Sequence, residues 1–355
     1  MLRFNILLLS FIALFNIHYA QSQVSNPTGT LQPATADDIW AQTLTGSHYN
    51  EFWNYQFYLN DGITVHITFS VADFGSLKSA VSGVQVSVHN LNGQLYQLSR
   101  EYDIEHLVQD RERFVFRNRA EREIFFEGKL PDKHRVRVQT TKDGVTYDID
   151  LHLSNIQNGF KWGNGIYRID SEEVGIITHI PYSKANGYVE VNGVRKSVTG
   201  TAYMDHTYQN RTTTQLMNSG YRYINHNSPQ DWDLIYFMLP NQSTDQKTIG
   251  YRVQNVRGAL KLNGIDQILD IDMSQIFGEN VAQVLEIQFS NGESTQILRT
   301  VNHEKFSVLS ELSRLARGVA RRFLGGEVIH FRGEATLLEP AKRRKDGFYN
   351  YFIID

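Results

Sequence analysis

Runs of alternating apolar and polar residues, separated by Asn-Gly and Asp-Gly pairs, restrict the fold of this 355-residue chain more than any other feature. Residues 63–71, 84–89, 147–153 and 232–238 each alternate with a period of two, which is typical of half-buried β-strands. Asn-Gly or Asp-Gly occurs ten times, as at Asn192-Gly193, and such pairs tolerate the positive φ of tight hairpins. Many short strands joined in this way predict an all-β chain, folded as an up-and-down barrel or a sandwich.

The composition excludes several classes of site. The chain has no cysteine, so disulfides, thiolate nucleophiles and Cys-ligated zinc are excluded. Its 12 histidines are scattered without a pair at metal-ligand spacing, and no P-loop or G-x-G-x-x-G motif opens a helix, so we expect no metal and no cofactor. The net charge is −3 and no basic stripe carries interleaved aromatics, which argues against nucleic acid as a partner.

The N-terminus has the pattern of a secretory signal. Arg3 precedes a ten-residue apolar run at residues 6–15, which is too short to span a bilayer. We expect a signal peptide over residues 1–20 and a flexible tether over residues 21–38, rich in Ser, Thr, Gln and Pro. The mature protein is therefore predicted to be exported, to the periplasm or outside the cell, and to be soluble after removal of the signal. An N-terminal anchor helix is the alternative.

One segment in the second half has helical instead of strand periodicity. Apolar residues recur at helical spacing between residues 304 and 324, and Gly325-Gly326 ends the pattern. Five basic and two acidic residues give this segment a charge of +3, by the arithmetic 5 − 2. The predicted 304–324 helix either packs its apolar side on a sheet or makes peripheral contact with an anionic membrane.

The strongest candidate for chemistry is a motif in mid-chain. A hairpin at residues 187–198 leads into Gly200 and then Tyr203-Met204-Asp205-His206. An acid beside an imidazole, flanked by tyrosines, is a candidate acid–base pair. Because successive strand residues face opposite sides, only one of Asp205 and His206 should point into a barrel unless a bulge intervenes.

The context of this motif resembles the carotenoid 1,2-hydratase / AttH / survival-factor-1 group of tandem lipocalin-like proteins. In that group a segment of the type G-x-G-x-x-D-H-N-W-G links two halves, and Gly200, Asp205 and His206 match it. The chain departs from the pattern at Ala202 and at residues 207–209. Weaker likenesses occur at residues 51–62, 331–335 and 347–349, so the resemblance spans roughly residues 45 to 350.

The resemblance implies two lipocalin-like antiparallel β-barrels in tandem, with one α-helix in the C-terminal half. We place the N-terminal domain at residues 39–208 and the C-terminal domain at residues 209–355. Length alone also suggests two domains, at roughly 100–200 residues each. The implied ligand is an apolar isoprenoid or lipid, held either within one barrel or between the two. The oligomeric state stays open.

The first functional hypothesis is an enzyme acting on an apolar alkene, as a hydratase, cyclase or isomerase. Asp205 would protonate a carbon–carbon double bond, an apolar pocket keeping the carboxyl group neutral, and His206 would orient it or accept a proton. Tyr203 completes this predicted catalytic set. The predicted ligand-binding residues are the aromatics of the first strand and those that could face a cation: Trp53, Tyr55, Tyr208, Trp232 and Tyr236.

Three alternatives remain. Asp205 and His206 could serve structure alone, fixing the junction between the halves through hydrogen bonds. The protein could be a carrier that shields a lipid or pigment without reacting with it. A secreted glycan-binding β-sandwich is a third interpretation, although only four tryptophans could provide a platform: Trp40, Trp53, Trp162 and Trp232.

Overall fold

The computed structural model describes residues 23–43, 47–241, 246–307, 309, 317–318, 321–322, 324–340 and 343–355, with the side chain of residue 77 left out. The predicted signal peptide, residues 1–20, lies outside the described residues. Two groups of antiparallel strands account for most of the described chain. No helix among the described residues is long and apolar enough to cross a membrane.

The first half forms a nearly closed barrel. Its strands are β1 (Val24–Ser25), β2 (Leu31–Pro33), β3 (Asn50–Leu59), β4 (Thr64–Ala72), β5 (Val81–Leu91), β6 (Gln94–Asp103), β7 (Leu107–Asp110), β8 (Val115–Asn118), β9 (Ile124–Glu127), β10 (His134–Lys142), β11 (Val145–Ser154), β12 (Phe160–Trp162), β13 (Ile166–Ile169), β14 (Glu172–Val191) and β15 (Val194–Gln209). Short 3-10 helices occupy Ala36–Ile39, Asn60–Gly62, Gly75–Leu77 and Ile104–His106.

The main path of this sheet runs β6-β5-β4-β3-β15-β14-β11-β10-β9-β8-β7. Side chains also link β6, at one end of this path, to strands on the opposite side of the sheet. Lys142 of β10 donates to the Ser99 carbonyl at 2.8 Å, and the Tyr147 hydroxyl of β11 donates to the Gln97 carbonyl at 2.9 Å. These bonds bring the two sides of the curved sheet together.

The second half is a closed barrel of eight strands in chain order. They are β16 (Met217–Ser228), β17 (Asp231–Pro240), β18 (Ile249–Val256), β19 (Ala259–Ile276), β20 (Glu279–Phe289), β21 (Ser294–Phe306), β22 (Val328–Leu338) and β23 (Arg344–Ile354). A four-residue helix α1, Thr213–Leu216, joins the halves. The predicted fold class, all-β with two lipocalin-like barrels, is confirmed.

Strand alternation divides the apolar residues among three clusters. In β3, Trp53, Tyr55 and Phe57 face the core of the first barrel. In β17, Ile235 and Phe237 face the core of the second. The intervening residues of β17 face outward into a third cluster, which contains residues from both halves and holds the barrels together. The candidate functional residues lie in and around this inter-barrel cluster.

The predicted flexible tether, residues 21–38, is wrong for its described part. β1 pairs with β13 and β2 pairs with β12, while Thr35 and Asp38 form a capping box on the first 3-10 helix. The Asn26 side chain reaches the second barrel, donating to the Ile265 carbonyl at 2.9 Å. A polar composition does not prevent order here, because neighbouring strands supply partners for the backbone.

The predicted 304–324 helix begins too early. Residues 304–306 end strand β21, and Glu304 is buried. Helical residues occur at 317–318, 321–322 and 324, whereas 308, 310–316, 319–320 and 323 lie outside the described residues. Arg317 pairs with Glu327 at 2.6 Å, and Arg321 pairs with Asp355 at 2.7 Å. These two cations of the predicted membrane-facing side are thus already paired within the chain.

Candidate ligand-binding site

A cavity of about 240 Å³ lies between the two barrels. Its walls come from β3, β4, β5, β6 and β15 of the first half and from β16, β17, β22 and β23 of the second. The lining is mainly apolar, with Phe52, Val84, Met238 and Phe352 among its members. Val84 belongs to the core of the first barrel, whereas Phe52, Met238 and Phe352 lie outside both barrel cores, so the cavity belongs to the seam between the halves.

Asp205 lies behind one end of this cavity, in an ion pair. Its side chain is fully buried, and Arg222 of β16 contacts both carboxylate oxygens, Nε at 2.5 Å and Nη2 at 3.0 Å. Asn54 of β3 donates to Oδ1 at 2.9 Å. A guanidinium that contacts both oxygens is the usual partner of an ionised carboxylate. The predicted neutral acid aimed at a ligand therefore differs from the observed arrangement.

Tyr236 connects this ion pair to the cavity. Its hydroxyl lies 2.7 Å from Thr207 Oγ1 and accepts a hydrogen bond from Arg222 Nη2 at 2.7 Å. Thr207 in turn lies 3.3 Å from Asp205 Oδ1. Burial raises the pKa of the Tyr236 phenol above its ordinary value, with Arg222 acting in the opposite direction. Tyr236, Thr207, Arg222 and Asn54 all line the cavity and form its polar end.

His206 lies on the opposite face of β15. Its ring stacks on Trp53 at 4.6 Å, inside the first barrel. Nδ1 donates to the Asp38 carbonyl at 3.1 Å, and Nε2 lies 2.6 Å from Glu51 Oε1. Asp205 and His206 thus do not form an acid–base pair, because adjacent strand residues point to opposite sides. The expectation that only one of them enters a barrel agrees with this geometry.

The other residues of the predicted catalytic and ligand-binding set are distributed unevenly. Tyr203 and Trp232 belong to the inter-barrel cluster but do not line the cavity, and Trp232 stacks on Phe160 at 6.2 Å. The Tyr208 ring covers Gly175, where an added Cβ would lie 2.0 Å from the ring. Of the five residues predicted to bind ligand, Tyr236 lines the cavity.

Trp53 and Tyr55, predicted to bind ligand, are core residues of the first barrel. Trp53 is completely buried and donates from Nε1 to the Ile39 carbonyl at 2.7 Å. The Tyr55 hydroxyl lies 2.8 Å from His134 Nε2. Trp53 and Tyr55 do not border this cavity, because they lie on the odd-numbered face of β3 whereas the cavity is lined by residues of the even-numbered face, including Phe52 and Asn54.

A second buried ion pair, within the second barrel, contacts the first barrel across the seam through hydrogen bonds to its acid. Arg332 of β22 donates to Glu304 at 2.9 Å, and Glu304 also accepts bonds from Ser87 and from Gln97, the latter at 3.1 Å. Burial raises the pKa of Glu304, but Arg332 and other donors outweigh it and lower the pKa to about 2. Of these two buried pairs, Asp205–Arg222 borders the cavity through Arg222, whereas neither Glu304 nor Arg332 is among its lining residues.

Three solved structures are similar to this chain in architecture. An AttH-type protein from Nitrosomonas europaea superimposes with a TM-score of 0.60 at 13% identity, covering 90% of this chain and 98% of its own. CghA in complex with Sch210972 gives 0.57 at 10% identity, covering 87% and 88%. Kievitone hydratase from Nectria haematococca gives 0.51 at 10% identity, covering 92% and 98%. This chain has their tandem lipocalin-like fold.

The resemblance inferred from the mid-chain motif is thus confirmed at the level of the fold. No model of a known protein family matches the sequence of this tandem lipocalin-like chain, and neither does any curated protein sequence. The fold was accordingly visible from one short motif and from strand periodicity.

Arg222 and Glu51, the partners of Asp205 and His206, were not identified from the sequence. Arg222 sits in an alternating run, Tyr221-Arg222-Tyr223, where a cation on the outward face looks like an ordinary surface residue. Glu51 shares the inward face of β3 with Trp53, and an acid at a core position is a recognisable signal for a buried partner. Neither signal identifies the partner, which comes from a distant strand.

Proposed function

We propose that this chain is an exported protein that binds an apolar small molecule between its barrels and catalyses a hydratase-like reaction at a carbon–carbon double bond. The observation that carries the proposal is the cavity itself, an apolar space that ends on Arg222, Tyr236 and Thr207. Ligand sites in proteins commonly combine an apolar lining with a few placed polar groups. Burying an apolar ligand contributes about 25 cal/mol per Å² of apolar surface.

Tyr236 is the proton donor in this proposal, in place of Asp205. The phenol keeps its proton at neutral pH because burial raises its pKa. After proton transfer, its oxygen would be stabilised by the Arg222 N–H that already contacts it. The two bonds from Arg222 to Asp205 hold the guanidinium in place.

The structural neighbours support a small-molecule role without fixing the substrate. One of them is named a hydratase, and another was solved with the compound Sch210972. Their identity to this chain is 10%, so the substrate of this chain has to be found by experiment.

Native mass spectrometry of freshly purified protein tests the proposal. We expect a bound apolar compound to be released and, after incubation, to be accompanied by a product heavier or lighter by one water, or by an isomer. Gln85, which lines the cavity, offers a blocking variant, Q85W. Its matched control is Q94W at an exposed position of β6. Loss of ligand in both variants, or in neither, would contradict the assignment of the cavity.

A non-catalytic carrier is the second candidate, favoured by the engagement of Asp205 in an ion pair. A carrier returns its ligand unchanged, so prolonged incubation with the recovered compound distinguishes the two functions. Unaltered mass, retention time and double-bond geometry of that compound would favour the carrier.

A further inference from the structure

Arg222 has one guanidinium nitrogen left for a ligand. Nε and Nη2 are bonded to Asp205 and Tyr236, whereas Nη1 has no hydrogen-bond acceptor among the described residues. The side chain is 6% exposed and forms part of the cavity wall. Because Arg222 lines the cavity, Nη1 can donate to an oxygen that the ligand brings, and that bond would complete the hydrogen bonding of the guanidinium.

The low acidity of the Tyr236 phenol restricts the type of double bond that the ligand can carry. A phenol whose pKa is raised is a poor acid for an isolated alkene, because protonation there creates a carbocation without stabilisation. A double bond conjugated to a carbonyl avoids the cation, since the negative charge formed on adding water accumulates on the carbonyl oxygen. Nη1 of Arg222 is placed to stabilise that charge, in the manner of an oxyanion hole.

We propose that the ligand is an apolar molecule whose double bond is conjugated to a carbonyl group, and that Arg222 Nη1 binds the carbonyl oxygen. The inference rests on the proposed function and specifies its substrate class. The contacts that carry it are the bidentate Asp205–Arg222 pair, the 2.7 Å bond from Nη2 to Tyr236 and the uncommitted Nη1.

The reaction balances with water as the co-reactant. The water oxygen forms a bond to the β-carbon, and the π electrons move onto the carbonyl oxygen, giving an enolate held by Arg222. The proton lost by water passes through Thr207 to Asp205, along contacts of the cavity wall. Tyr236 then protonates the α-carbon and regains a proton from Asp205 through Thr207, 2.7 Å away. The product is a β-hydroxy carbonyl compound, and the reverse reaction is dehydration.

Two probes of the same shape test the carbonyl contact. Benzalacetone carries the conjugated carbonyl, and 3-methyl-1-phenyl-1,3-butadiene replaces its oxygen by a methylene group. We expect wild-type protein to bind benzalacetone at least about tenfold more tightly, by titration of intrinsic fluorescence. We also expect the carbonyl stretching band of bound benzalacetone to move to lower wavenumber, which a merely structural arginine would not cause.

The matched variants remove a whole ion pair each, so that no unpaired charge stays buried. D205N/R222Q should bind both probes equally and abolish the band shift. E304Q/R332Q removes the other pair of the seam, which does not line the cavity, and should keep the preference and the shift.

The outcomes separate this inference from the proposed function. Equal affinity of wild-type protein for the two probes, without a band shift, would overturn the carbonyl contact and leave an apolar-binding cavity. If the wild-type protein bound neither probe and released no compound on native mass spectrometry, both the carbonyl contact and the proposed function would be overturned. Because the wild-type comparison needs no variant, the test stands even if D205N/R222Q does not fold.

Discussion

Asp205 and His206 are neighbours in the chain, yet their side chains bind partners in different barrels. Asp205 pairs with Arg222 of the second barrel, and His206 stacks on Trp53 inside the first. The mid-chain motif is therefore a junction, because one strand presents a carboxyl group to one side and an imidazole to the other. Asp205 lies behind one end of the cavity, and the imidazole of His206 packs against Trp53 inside the first barrel.

Removing one partner of the Asp205–Arg222 pair should destabilise the fold more than removing both. R222Q leaves a carboxylate that is fully buried, and breaking such a pair typically costs about 3–5 kcal/mol. D205N/R222Q leaves no charge and should recover most of this loss. Urea unfolding of the two variants measures the difference. A double variant as unstable as R222Q would show that the charge imbalance is not the cause.

Replacing Tyr236 by phenylalanine should suppress turnover while ligand binding persists. The variant Y236F lacks the proton donor, and loss of general acid catalysis typically lowers the rate about 10²–10⁴-fold. The assay follows conversion of the compound recovered from wild-type protein. Y203F is the matched control, because the buried Tyr203 hydroxyl has no partner among the described residues and does not line the cavity. Full activity of Y236F would remove the phenol from the mechanism.

Acid should weaken the fold as buried neutral histidines become protonated. Burial lowers the pKa of His226 to about 4 and that of His134 to about 4. The pKa of histidine in the unfolded chain is about 6.5, so below that pH the unfolded state binds protons that the buried histidines of the folded state do not bind. Stability is thus complete above about pH 6.5 and falls by a few kcal/mol, in order of magnitude, toward about pH 4.

Urea midpoints measured from pH 7.5 to 4 check this dependence. His226 crosses the seam, with Nε2 donating to the Pro181 carbonyl at 2.8 Å, so H226Q should show a shallower fall. H152Q is the control, since the His152 side chain is 54% exposed and pairs with Asp150 at the surface of the first barrel. A wild-type midpoint that does not change with pH would refute the role of these histidines.

Gly200, the glycine that matches the family motif, should tolerate no side chain. A Cβ at this position would lie 2.0 Å from the Tyr58 carbonyl oxygen, where β15 pairs with β3. We expect G200A to destabilise the protein by about 2 kcal/mol or more, as overpacking does. G318A, where no described residue lies within 4 Å of an added Cβ, should be neutral or slightly stabilising because alanine favours helix. Thermal melting of both variants provides the measurement.

The local sequence pattern was sufficient to predict the strands and to separate the residues that point to opposite faces of a strand. The alternation around Asp205 predicted that it and His206 would separate, as they do. It could not supply strand order. Asn54 contacts Asp205 because β3 pairs with β15, across 151 residues of sequence, and no short-range rule specifies that pairing.

The candidate site was less predictable for the same reason. Tyr236 was predicted to bind ligand as one of several aromatics in an alternating run, but its hydrogen bond to Arg222 depends on how β16 and β17 meet β15. Trp53 and Tyr55 were predicted to bind ligand because the resemblance left open a ligand held within one barrel. Here rings such as Trp53, Phe116 and Phe126 fill that interior.

Because the cavity wall consists mainly of outward-facing strand residues, ligand specificity and folding depend on different side chains. Replacing a wall residue such as Gln85 or Met238 changes what the space accepts, while the packing of rings inside either barrel is untouched. The facing surfaces can thus change in sequence without altering the fold of either barrel. That freedom is consistent with architectures that superimpose over about nine-tenths of their length while sharing 10–13% of their residues.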